Sequence, residues 1–119
     1  KIKYNKNLIK STEPMNYFSF LSLLKYAKLA LSDSGGVQEE ACILKTPLVT
    51  IRNSTERPET LEIGCNILSK VKNKNLYEDA IKIIKRKISW RNPYGNGKAS
   101  EKSYYIINKF LNKNASKFY

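Results

Sequence analysis

Leu29-Ala30-Leu31-Ser32-Asp33-Ser34-Gly35-Gly36-Val37-Gln38-Glu39-Glu40-Ala41 decides how this chain folds. Leu29–Leu31 reads as a short buried strand. It runs into a turn, Ser32–Gly36, and Val37–Leu44 then has the composition of a helix. Pro47-Leu48-Val49-Thr50-Ile51 follows as the clearest strand in the chain. Strand, glycine turn, helix, strand is the unit from which parallel α/β sheets are built.

Outward from that unit the alternation continues. Upstream, a weak strand is expected near Lys6–Lys10. A helix is expected over Asn16–Tyr26, where Tyr17, Phe20, Leu21 and Leu24 recur at helical spacing. Downstream, Arg52–Glu56 reads as a loop, Arg57–Ile63 as a short helix and Asn66–Leu68 as another short strand. Leu76, Ala80, Ile84 and Ile88 recur every four residues and predict a helix with Lys82, Lys85 and Lys87 on its other faces. Trp90–Gly97 interrupts it with one Pro and two Gly, and a last helix is expected over Ala99–Leu111, carrying Ile106, Ile107, Phe110 and Leu111. Three or four strands and about five helices make up half of a doubly wound sheet.

Composition narrows the function classes. The 119 residues suit one globular domain or most of one. No apolar run approaches the roughly 18 residues of a membrane span. Lys1–Lys6 has no apolar h-region, so it is not read as a signal peptide; a piece of a longer chain is expected. Cys42 and Cys65 belong to no CxxC pair and there is no His, so no zinc site is expected; the reading is two free thiols in a reducing cytoplasm. The net charge of +12 invites a nucleic-acid reading, but its distribution opposes one. Residues 33–62 carry six acids against three bases, while residues 63–119 carry thirteen bases and three acids. Many of the late lysines fall on the solvated face of an expected amphipathic helix.

Chemistry concentrates in Leu31–Glu59. A glycine turn leading into a helix leaves backbone N–H groups unpaired at a positive dipole end, which suits an anion. Gly35 and Gly36 let a ligand approach the backbone or allow positive φ, and Ser34 adds a hydroxyl donor. The same pattern also serves an ordinary tight turn. Glu40, one turn in, leans back toward the helix start and can reach ribose hydroxyls; alternatively Glu39 and Glu40 only complement the helix dipole. Arg57 follows the second strand, where ligands of open α/β sheets bind, and a guanidinium there can take a diphosphate bidentately. A surface Arg paired with Glu56 or Glu59 is the competing reading.

Asp33–Ala41, Thr55-Glu56-Arg57-Pro58-Glu59 and Asn92-Pro93-Tyr94-Gly95-Asn96-Gly97-Lys98-Ala99-Ser100 resemble three successive motifs of the non-hydrolysing UDP-N-acetylglucosamine 2-epimerases. The resemblance covers nearly the whole chain. It implies part of a Rossmann-like parallel sheet flanked by helices, the C-terminal domain of a two-domain GT-B-like fold, with residues 1–119 a partial UDP-binding domain and the N-terminal domain absent. It implies that Ser34, Gly35 and Gly36 bind the diphosphate, Glu40 the ribose, Arg57 the diphosphate region and Phe20 the uracil; an ordinary core Phe is the alternative. It further implies anti elimination of UDP across C1 and C2 of the sugar and re-addition to the other face, interconverting UDP-GlcNAc and UDP-ManNAc for polysaccharide biosynthesis without a nicotinamide or metal. The partners implied are UDP-GlcNAc or UDP, the missing domain and a second copy in a homodimer, with no nucleic acid or membrane. No proton-transfer residue is identified in this chain, so it is not expected to epimerise alone. Asn96, where Asp is usual, and Lys70, near a usual Gly, depart from the family pattern. A non-catalytic nucleotide-sugar binding module is the competing reading, and self-association through uncovered strand edges and the last helix is expected.

Overall fold

The structure, a computed structural model, describes residues 5, 7–70, 72 and 75–115. Three short parallel strands form one sheet in the order β1-β2-β3: β1 Ala30–Ser32, β2 Leu48–Thr50 and β3 Asn66–Leu68. Ala30 stands opposite Leu48, and Leu48 opposite Asn66. Among the described residues five helices accompany them: α1 Tyr17–Tyr26, α2 Gly35–Leu44, α3 Pro58–Glu62, α4 Leu76–Ile84 and α5 Ala99–Ala115. This is the expected piece of a Rossmann-like sheet with flanking helices.

Local chemistry sets the boundaries. The Asn16 side chain caps α1 by accepting from the Ser19 N–H at 2.9 Å. At the far end of that helix the buried Thr46 hydroxyl donates to the Leu24 carbonyl at 2.8 Å, which supplies one of the carbonyls a helix end leaves open. Pro58 occupies the first position of α3, where its missing N–H costs nothing. Lys45 ends α2 in the left-handed region at φ 66°, a conformation more often given to Gly. Its ammonium donates to the Trp90 carbonyl and lies 5.6 Å from the centre of the Trp90 ring.

The core divides around α2. Ala41 faces Leu24 and Leu48, with Phe20, Ala30, Val37 and Leu44 packed against them. Its neighbour Cys42 faces Cys65 and Trp90, with Ile63 and Tyr94 alongside. The Trp90 indole N–H donates to the Cys42 carbonyl at 3.0 Å, so that large ring is buried without an orphaned donor. Both cysteines are free and buried, and burial followed by the neighbouring Cys42 thiol pushes the Cys65 thiol up to about 12.

Four expectations are corrected. Residues 7–10 form no strand: Leu8 and Ile9 both donate to the Asn5 carbonyl in a turn, while Lys6 lies outside the described residues. The first sheet strand is not fully buried, because its alternation leaves Leu31 half exposed. Helix α2 begins at Gly35, two residues before Val37, because the Ser34 side chain caps it. On α4 the buried position is Ile83 rather than Ile84, and Ile88 lies beyond the helix end. A strict four-residue ladder drifts around a helix of 3.6 residues per turn, so the face on β2 and β3 takes one more residue from the next column.

Helix α5 is built differently. Tyr104, Tyr105, Ile106, Ile107, Phe110 and Leu111 are all more than half exposed. Among the described residues, no helix is long and apolar enough to cross a membrane.

Candidate functional site

Every sequence-derived site residue stands on or around the first turn of α2. Ser34 is the N-cap, its hydroxyl accepting from the Val37 N–H at 3.4 Å while its carbonyl accepts from the Gln38 N–H at 3.3 Å. A helix start leaves its first N–H groups without intrahelical partners. With those of Val37 and Gln38 engaged, the N–H groups of Gly35 and Gly36 are left without a partner among the described residues. Neither glycine has positive φ. A Cβ added at Gly36 would meet the Ser34 hydroxyl at 3.9 Å, an ordinary contact, so within the chain neither glycine is required by φ or by crowding.

Helix α1 supplies one wall. Phe20, Leu24, Leu31 and Val37 line an apolar groove of about 250 Å³ between α1, β1 and α2. Phe20 is half-buried and packs against the core cluster of Leu24, Ala41 and Leu48 while still lining this groove. One helical turn earlier, Tyr17 meets Glu40. Partial desolvation, then the Glu40 carboxylate, pushes the Tyr17 phenol above its ordinary value. Tyr17 with Phe20 on α1 thus faces Glu40 with Val37 on α2.

The loop after β2 supplies the other wall. The Arg57 Nε–H donates to the Glu39 carboxylate, and its Nη1 donates to the Glu56 carbonyl at 3.0 Å. Hydrogen bonding to Glu39 holds the guanidinium proton more tightly than usual. The pairing with Glu56 or Glu59 offered by the sequence is therefore replaced by one with Glu39. Glu56 instead takes a two-pronged ion pair from Arg52, at 2.9 Å on each oxygen, and this hydrogen bonding holds its carboxyl below the usual carboxylate range. One Glu56 oxygen lies 3.9 Å from where a Cβ on Gly35 would stand, so a carboxylate already neighbours the helix start.

The third motif closes this side. Asn92 accepts from the Tyr94 N–H and donates to the Gly95 carbonyl, both at 2.9 Å, and Gly95 and Gly97 take positive φ of 89° and 82°. Burial and then the Glu59 carboxylate push the Tyr94 phenol up to about 12, with Glu39 contributing in the same direction and Arg57 opposing it. The ring packs against the Trp90 cluster.

Sequence reasoning missed a layer behind these residues. Gln38, Asn66, Thr50 and Thr60 are buried polar side chains, joined with Thr55 in one hydrogen-bonded group. The available signal was polar residues at inward-facing positions of otherwise apolar elements, such as Asn66 opening β3. Among the described residues, no three His, Cys, Asp or Glu side chains gather as a metal site would require.

Known proteins place the chain. The family model described as UDP-N-acetylglucosamine 2-epimerase matches residues 1–108. A UDP-N-acetylglucosamine 2-epimerase of Methanocaldococcus jannaschii is 50% identical over 107 residues, which is 90% of this chain and 29% of that protein. The crystal structure of the M. jannaschii enzyme with UDP-GlcNAc and UDP superposes with a TM-score of 0.76 at 49% identity, covering 82% of this chain and 27% of that one. The Neisseria meningitidis enzyme bound to UDP-GlcNAc gives a TM-score of 0.60 at 36% identity, covering 87% and 29%. The chain thus spans under a third of the length of these relatives. With a family model matching almost its whole length, this chain belongs to the UDP-N-acetylglucosamine 2-epimerase family.

Proposed function

We propose that this chain is the UDP-holding part of a non-hydrolysing UDP-N-acetylglucosamine 2-epimerase that interconverts UDP-GlcNAc and UDP-ManNAc in the cytoplasm. The observation that carries the reading is the gathering of Ser34, Gly35, Gly36, Glu40, Arg57 and Phe20 around one helix start. The free N–H groups of Gly35 and Gly36 and the Ser34 hydroxyl take the diphosphate. Arg57 keeps donors beyond the one spent on Glu39 and adds a charge-assisted bond. Glu40 accepts from the ribose hydroxyls, and Phe20 offers its ring to the uracil from the groove beside β1.

In the proposed reaction the C1–O bond to UDP breaks as the C2 proton leaves, giving a glycal. UDP then re-adds at C1 while a proton arrives at C2 from the opposite face. Negative charge develops on the departing diphosphate, which is where fixed N–H donors and a guanidinium stabilise a transition state. Nothing in the site assembled by this chain removes the C2 proton, so the chain alone binds without turning over.

Residues 1–119 then form a partial C-terminal domain whose open β1 edge and uncovered α5 face meet the remainder of a two-domain protein, itself a homodimer. Incubation of the chain with UDP-GlcNAc, followed by product analysis, tests the assignment of roles. No UDP-ManNAc should form, and turnover would place the proton-transfer groups inside these residues. Sedimentation at rising concentration should show self-association; a monomer throughout would contradict an unsatisfied α5 face.

A further inference from the structure

Arg57 is fixed at its backbone, not only at its guanidinium. Its N–H donates to the Thr55 hydroxyl at 3.0 Å, and its carbonyl accepts from the Thr60 hydroxyl at 2.8 Å. Each hydroxyl is engaged a second time. Thr55 donates to Gln38 Oε1 at 2.6 Å, and Thr60 accepts from Asn66 Nδ2 at 3.0 Å. The two amides then meet, Asn66 Nδ2 donating to Gln38 Oε1 at 3.2 Å, and Asn66 Oδ1 takes the Thr50 hydroxyl at 3.0 Å. The result is a closed ring of hydrogen bonds running from the Arg57 N–H through Thr55, Gln38, Asn66 and Thr60 back to the Arg57 carbonyl.

The location of this ring gives it meaning. Gln38 lies one residue before Glu39 and two before Glu40 on α2, and its side chain is fully buried. Asn66 opens β3 at 2% exposure. The ring therefore ties the helix that starts at Ser34 to the loop that carries Arg57. An apolar cluster of the same shape would hold the elements together without the desolvation of five polar side chains. Directional bonds add a fixed geometry, which hydrophobic contact does not specify.

We propose that Thr55, through the Gln38–Asn66 amide pair, is a positioning residue that sets Arg57 in register with the first turn of α2 for the diphosphate of UDP. This rests on the reading that Arg57 meets the diphosphate. Thr55 acts through the Arg57 backbone, whose N–H its hydroxyl accepts.

The test is a double-variant cycle on this chain, with UDP titrated by calorimetry. Thr55→Val keeps the shape and removes the hydroxyl, and it should weaken UDP binding about tenfold. Thr55→Ser keeps the hydroxyl and should bind within about twofold of the parent. In an Arg57→Ala background, Thr55→Val should change affinity no further, because there is no guanidinium left to misplace. A loss in that background equal to the loss in the parent would mean that the hydroxyl merely supports the fold, and would overturn the proposal. Parent-like binding by Thr55→Val would overturn it too. Parent-like binding by Arg57→Ala would instead remove Arg57 from the diphosphate, and the functional reading would fall with the inference. Thr55→Ala carries the same expectations should the valine variant not fold.

Discussion

The sheet with α2 and the helix α5 both carry large apolar side chains and behave as opposites. Around α2, side chains close on one another: Ala41 and Cys42 are fully buried on two different core clusters, and the Trp90 indole finds the Cys42 carbonyl. On α5, Ile106, Ile107, Phe110 and Leu111 sit at a helical spacing suited to burial and yet are mostly exposed. The chain's folding unit thus coincides with the proposed UDP half-site, while the apolar face of α5 finds no cover among the described residues. A chain under a third as long as its relatives is where such a face is expected.

The sharpest way to break this contrast is to truncate one large apolar side chain in each region. Trp90→Ala should cost about 3–5 kcal/mol by denaturant unfolding, as core aromatic deletions do. Phe110→Ala in this chain should stay within about 0.5 kcal/mol. Equal losses would mean that α5 is packed after all. In a longer protein that includes the upstream sequence, Phe110→Ala should become costly, which would sharpen the contrast into an interface.

The next effect is smaller and lies at the helix start. Ser34→Ala removes the cap on the Val37 N–H and should cost about 1 kcal/mol, measured by thermal or denaturant unfolding. It should also weaken UDP binding, because the same hydroxyl faces the proposed diphosphate position. Loss of stability without loss of binding would leave Ser34 a cap and nothing more.

A further effect concerns alkaline pH. The folded state holds the Cys65 and Tyr94 protons to about 12, against ordinary values of 9.0 and 10.0. Their contribution is fully present below pH 9.0 and is lost as the unfolded chain releases these protons, between there and about 12. Unfolding measured across that window should show falling stability. Tyr94→Phe should flatten the upper part of the fall and cost little at neutral pH, since the buried Tyr94 hydroxyl has no partner among the described residues.

Much of this was legible in the chain itself, and the limits have physical causes. Strand Asn66–Leu68 was placed to the residue, and the strand within Pro47–Ile51 was found, because β-branched runs between turn residues have few alternatives. The start of α2 was read two residues late because two glycines look like a turn, whereas Ser34 caps the helix through them. A weak strand was expected near Lys6–Lys10, and nothing in the sheet pairs with its described residues. Ser34, Gly35, Gly36, Glu40 and Arg57 were legible as a glycine turn, a helix and a following loop, while their UDP roles, and Phe20 altogether, came from the family resemblance; the fold places them around one helix start. Their partners were not legible: Glu39 is 18 positions from Arg57, and the Thr55–Gln38–Asn66 ring spans 28 positions between its two amides. Contacts across such separations follow from the packing of α2 against α3 and the sheet, which periodicity does not encode.

The central claim is that the first turn of α2, with Glu40 and Arg57, forms half of a UDP site. Calorimetric titration of the chain with UDP, alongside Arg57→Ala and Glu40→Ala, tests it most directly. Saturable binding that weakens about tenfold or more in each variant is expected, as loss of a charge-assisted bond implies. Undiminished binding in both variants, or none by the parent at millimolar UDP, would contradict it.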